Sequence, residues 1–238
     1  METSSNQPAK TILHRTPLYH LELLLVLILM LVVQSFLNTD NMVQRTMFNF
    51  LLLAVVLAAI RSLSDSRHRL VTAVFVGLVS YACSWFAEFT DSTLLIGSLL
   101  IGYIVVFVIL LIALSENVFG AGAIDANRII GACCIYFVLG LLWALIYSLL
   151  ESLQPGSFHF VDRPVAETLV QDKVSDFMYF SNVTLTTLGY GDIAPVSRPA
   201  KMFASLEAIV GQLYVAIIIG RMVGLHISEF HWLREESD

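Results

Sequence analysis

Long apolar runs, broken by short polar segments, set the pattern of the chain. Six stretches are nearly free of ionisable groups: residues 23–39, 46–60, 70–87, 92–115, 129–150 and 202–220. A bilayer core of about 30 Å takes roughly 20 helical residues, within a working range of about 17–25. Five stretches fall in that range. The second is shorter, and Arg45 and Arg61 at its ends can snorkel toward the headgroups. The pattern predicts an all-α membrane protein with six transmembrane helices.

One connection departs from this pattern. Residues 151–201 are too long for a hairpin, and their second half is too apolar for a solvent loop. Ser175 and Asp176 read as the start of a helix, with a capping hydroxyl and an early acid. Phe177, Met178, Tyr179, Phe180, Val183 and Leu185 then supply about three turns, too short to cross a bilayer. Thr186-Thr187-Leu188-Gly189-Tyr190-Gly191-Asp192 follows, and Pro195 turns the chain outward. A short helix entering and an irregular strand returning make a re-entrant pore helix and filter loop between the fifth and sixth spans. Bare backbone at membrane depth is tolerated only inside protein or along a water-filled cavity.

The chemistry of that strand suits a cation. Inward-facing carbonyls can replace the water shell of an alkali ion without fixed charge. They can share one axis only if the backbone alternates in handedness, which Gly189 and Gly191 allow at little steric cost. Thr187 offers a hydroxyl oxygen at the inner end. Leu188 and Tyr190 are expected to turn outward, against Phe177, Tyr179 and Phe180. The C-terminal end of the short helix, near Thr186, presents partial negative charge to the ion.

Composition and charge narrow the class. Hydrophobic side chains make up 57% and charged ones 13% of the 238 residues, against roughly 45–50% and about 25% in soluble domains. That excludes a disordered or nucleic-acid-coating chain. A net charge of −6 without a basic run also argues against a polyanionic partner. Basic residues keep short loops cytoplasmic, and Lys10, Arg15, Arg61, Arg67, Arg69, Arg128, Arg221 and Arg234 fall on one side, with Arg45, Arg163, Lys173, Arg198 and Lys201 on the other. Both termini are thus expected in the cytoplasm, with the chain in the cell membrane. Cys83, Cys133 and Cys134 all lie in apolar runs and read as small buried residues.

The run Thr187-Leu-Gly-Tyr-Gly-Asp192, preceded by Thr184-Leu-Thr and followed by Ile-Ala-Pro, resembles the selectivity filter of the potassium channel superfamily. The resemblance covers about residues 129–226, in the order helix, turret, pore helix, filter, inner helix. It implies that Thr187, Leu188, Gly189 and Tyr190 coordinate K⁺. Gly191 would complete the outer mouth, and Asp192 would brace the filter from behind with the Tyr179 hydroxyl as its partner. It also implies a homotetramer, since one chain carries one filter strand, and K⁺ in the filter with no other cofactor. Gly211 falls where family inner helices have a flexible glycine, and would be a gating hinge.

Glu207 lies one turn before Gly211. A carboxylate inside a spanning helix is a functional hypothesis by default; here it would tune the ion field or hydrogen-bond the back of the filter. The resemblance divides the chain into a cytoplasmic N-terminus (1–17), a four-helix voltage-sensor-like domain (18–116), a linker (117–128), the pore domain (129–226) and a cytoplasmic tail (227–238). The fourth span has no Lys or Arg, so gating by a charged fourth helix is not expected. An enzyme would need ionisable constellations within the spans, where only Glu22 and Glu207 lie or border. A non-selective monovalent cation channel is the nearest alternative, and such filters usually depart from Gly-Tyr-Gly.

Overall fold

The computed structural model describes residues 19–36, 50–55, 57, 93–120, 125–161 and 170–235. Its elements in chain order are α1 (Tyr19–Phe36), α2 (Thr93–Phe119), α3 (Ala126–Leu153), β1 (Phe158–Phe160), α4 (Val170–Leu185), β2 (Ile193–Pro195) and α5 (Arg198–Glu235). The apolar runs at 23–39, 92–115, 129–150 and 202–220 thus form α1, α2, α3 and α5. Residues 50–55, inside the second run, are helical, whereas the third run, with Cys83, lies outside the described residues. Among the described residues three helical stretches are long and apolar enough to cross a membrane: Ile96–Phe119, Ala126–Leu153 and Arg198–Gly224. The apolar part of α1, His20–Val33, is shorter.

Local chemistry sets the helix ends. Asp125 caps α3: its backbone is extended (φ −109°, ψ 167°) and its carboxylate accepts the Arg128 N–H at 2.9 Å. At the other end the Gln154 N–H returns to the Leu150 carbonyl at 2.8 Å. α5 starts where Ser197 Oγ accepts the Ala200 N–H at 3.2 Å. Pro199 fits in that first turn because its missing N–H has no helical partner there. The 38 residues of α5 make a rod of about 57 Å, well beyond the thickness of a bilayer core. Residues 227–235, expected as a tail, continue this helix.

α3 is the central helix, packed against α1, α2, α4 and α5. Leu23 and Met30 of α1, Phe107 and Leu114 of α2, Ile135 and Leu145 of α3, and Phe177 and Leu185 of α4 are buried in one continuous core. Cys134 is also buried and Cys133 is exposed.

Below the core, two arginines close the C-terminal end of α2. Arg221 of α5 donates to the carbonyls of Phe119 at 2.9 Å and Gly120 at 3.0 Å, and lies over the Phe119 ring at 5.0 Å. Arg128 of α3 donates to the same Gly120 carbonyl at 3.0 Å. Cations at a helix C-terminus satisfy its last carbonyls and complement its dipole.

Candidate ion pathway

The short helix before the filter is α4, and it begins at Val170, five residues before the expected Ser175 cap. Ser175 and Asp176 lie inside it. The reason is burial: Val174 is 4% exposed and belongs to the core, so the first turn forms upstream to seat it. Phe177 and Phe180 are buried too, but not against the filter as expected. They close an aromatic cluster with Tyr147 of α3 and Phe158 of β1, with centroids 4.7 Å apart for Phe158–Phe177 and 5.2 Å for Tyr147–Phe180. Edge contacts of this kind lock rings in place beyond simple area burial.

Residues 186–191 leave the C-terminal end of α4 as an irregular strand. Its N–H groups turn back to the helix: Thr186 to the Asn182 carbonyl at 3.1 Å, Thr187 to Thr184 at 3.0 Å and Leu188 to Val183 at 2.9 Å. The Thr186 hydroxyl donates to the Asn182 carbonyl at 2.6 Å. Three alternate residues have positive φ: Thr187 (59°), Gly189 (63°) and Gly191 (82°). The two glycines adopt it freely. Thr187 does not, since a β-branched side chain in the left-handed region is strained by about 1–2 kcal/mol. The alternation therefore begins one step earlier than the glycines alone suggest.

On the outer side, Tyr190 stacks on Tyr179 at 6.5 Å with the rings 4° from parallel. The Tyr179 hydroxyl faces the Asp192 carboxylate. Leu188 and Tyr190 are 55% and 67% exposed in the single chain. Beyond Asp192 the strand pairs with the turret, β1 against β2, with His159 opposite Ala194. The Val161 N–H donates to the Asp192 carbonyl at 3.0 Å. Glu151 anchors the turret: it is buried, and its carboxylate accepts the N–H of Gly156 at 2.8 Å and of Phe158 at 3.3 Å.

At the inner end, a Cβ on Gly211 would stand 2.5 Å from the Leu185 carbonyl oxygen, so the glycine lets α5 touch the end of α4. The same carbonyl accepts the Tyr136 hydroxyl of α3 at 3.0 Å. Tyr136 packs on Tyr214 at 5.9 Å, and the Tyr214 hydroxyl donates to the Ala132 carbonyl at 2.7 Å. Glu207 is fully buried, between the Tyr147 hydroxyl at 2.5 Å and Ser181 of α4. Its hydrogen bonds reach α3 and α4.

The structure thus brings Thr186–Asp192, Tyr179, Glu207 and Gly211 around one helix end. Sequence reasoning missed Tyr136, Tyr147, Ser181 and Glu151. For Tyr136 and Tyr147 a hydroxyl inside an apolar run was the available signal, since each such group needs a partner.

Residues 132–226 match the family model described as Ion channel. This stretch is similar to an ion-channel domain. It includes the helix end, α4, the strand and most of α5. Similar proteins include Protein LctB of Bacillus caldotenax, 33% identical over 91 residues, which are 37% of this chain and 64% of that protein. Two pore potassium channel c of Oryza sativa subsp. japonica is 44% identical over 50 residues, 21% of this chain and 11% of the relative. Inward rectifier potassium channel Kirbac3.1 of Paramagnetospirillum magnetotacticum is 31% identical over 87 residues, 35% of this chain and 24% of the relative. The chain spans less than two thirds of each.

Proposed function

We propose that the chain is a potassium-selective channel subunit that conducts K⁺ passively through a homotetrameric pore. The observation that carries the reading is the alternation of positive φ at Thr187, Gly189 and Gly191, the backbone form that lets successive carbonyls share one axis. The carbonyls of Thr187, Leu188, Gly189 and Tyr190, with the Thr187 hydroxyl, then replace the hydration shell of K⁺. Gly191 forms the outer mouth, and Asp192, faced by the Tyr179 hydroxyl, braces the strand from behind. Relatives named as potassium channels support the choice of ion.

Assembly follows from α5. Only 17% of its apolar window is buried within the chain, against 56% for α3. Met202, Leu206, Ile209, Leu213 and Ile217 remain exposed. Four copies around the filter axis cover part of this face and supply four strands to one ion path. Gly211 is the place where α5 bends on gating.

Ion flux from vesicles holding the full chain tests the reading. K⁺ and Rb⁺ pass, Na⁺ is excluded and Ba²⁺ blocks. Equal Na⁺ and K⁺ flux would instead identify a non-selective monovalent cation channel.

A further inference from the structure

Behind the filter, four groups form a linear chain of hydrogen bonds. The Ser181 oxygen lies 2.8 Å from the Gly140 carbonyl and within hydrogen-bond distance of Glu207 Oε1, while Glu207 Oε2 meets the Tyr147 hydroxyl at 2.5 Å. These are three contacts, and each needs one proton. Ser181 and Tyr147 supply one each, and the Gly140 carbonyl supplies none. The third proton has only the carboxyl of Glu207 to sit on. Were Glu207 ionised, Ser181 could serve just one of its two neighbours, leaving two lone-pair oxygens in contact with nothing between them.

We infer that Glu207 holds a proton and donates it to Ser181, which makes its neutral carboxyl the positioning group that ties the inner helix to the pore helix. The order of donation is Tyr147 to Glu207, Glu207 to Ser181, and Ser181 to Gly140. It uses every proton once, and it joins α3, α4 and α5 at a single point. Burial favours the same state, since Glu207, Ser181 and Tyr147 are each 0% exposed, and an unpaired carboxylate there would lack the water or cation it needs. Among the described residues, the titratable groups facing Glu207 are Tyr147 and, further off, Tyr136, both on α3; the pore helix presents Ser181. None of these can neutralise a carboxylate. Gly140 makes the approach possible, because a Cβ there would stand 2.8 Å from Asn182 Oδ1.

Ser181 lies two residues before Val183, whose carbonyl accepts the Leu188 N–H. Losing the proton therefore loosens the seat of the filter.

This inference rests on the reading of the chain as a K⁺ pore. The test is a pH series of K⁺ flux in vesicles holding the full chain, run beside infrared spectra of the same samples. Wild type falls at least threefold in flux on the alkaline side. Glu207→Gln, whose amide donates to Ser181 and accepts from Tyr147, conducts within about twofold of wild type and loses that alkaline limb. Glu207→Ala and Ser181→Ala lose flux at every pH. The infrared band of a protonated carboxyl is present in wild type at neutral pH and absent from Glu207→Gln. An unchanged alkaline limb in Glu207→Gln, conduction no better than in Glu207→Ala, or absence of the wild-type band overturns the inference. Wild type without K⁺ flux at any pH defeats the K⁺-pore reading instead, and the infrared band still decides where the proton is.

Discussion

Gly211 lies so close to Leu185 that a side chain of even one carbon would stand 2.5 Å from its carbonyl oxygen. Leu185 is the last residue of α4, so α5 and the start of the strand at 186–191 meet without slack. Gly211→Ala is expected to push the two apart, at a cost of about 1–3 kcal/mol per subunit. Thermal stability of the purified protein and K⁺ flux should both fall. Gly97→Ala is the control: its new Cβ meets only Leu149 Cδ1, at an ordinary 3.9 Å, and neither readout should drop.

Tyr136 holds the same carbonyl from the other side. Tyr136→Phe removes that hydrogen bond while keeping the ring on Tyr214, a loss of about 0.5–1.5 kcal/mol. The expected result is a protein that assembles normally but has a lower K⁺/Na⁺ selectivity ratio in bi-ionic flux. An unaltered ratio would show that the carbonyl needs no second anchor.

The turret gives a prediction for stability. Glu151→Ala leaves the N–H groups of Gly156 and Phe158 without their acceptor, at about 1–3 kcal/mol for a buried donor. The melting temperature should fall, with a smaller loss for Glu151→Gln, which keeps one acceptor oxygen.

Much of the fold was legible in the chain because its signals are local. The strand at 186–191 carries its backbone requirement in Gly189 and Gly191, and apolar runs mark α1, α2, α3 and α5. Thr187 shows the limit, since nothing in a threonine announces a positive φ that the flanking hydrogen bonds impose. The strands of the turret are three residues each, Phe158–Phe160 and Ile193–Pro195, too short to leave an alternating pattern. Tyr136 and Glu207 find their partners 49 and 60 residues away, a distance over which no spacing rule operates. The start of α4 was misplaced because a capping signal at Ser175 competed with the burial of Val174, and burial prevailed.

Voltage dependence offers a fourth test. Moving one elementary charge through 100 mV is worth about 2.3 kcal/mol, and α2 has no Lys or Arg to move. The conductance–voltage relation in symmetric, blocker-free K⁺ should stay shallow. A steep relation would require a charged element elsewhere in the chain.

Arg221 and Arg128 both end on the Gly120 carbonyl, and this makes a joint. The foot of α2 and the lower part of α5 are pinned to a shared atom, with α3 as the third member. A shift of the foot of α2 therefore reaches α5 through this shared atom without passing through the strand at 186–191. A helix poor in charge can act on a pore as a lever where it cannot act as a sensor of field.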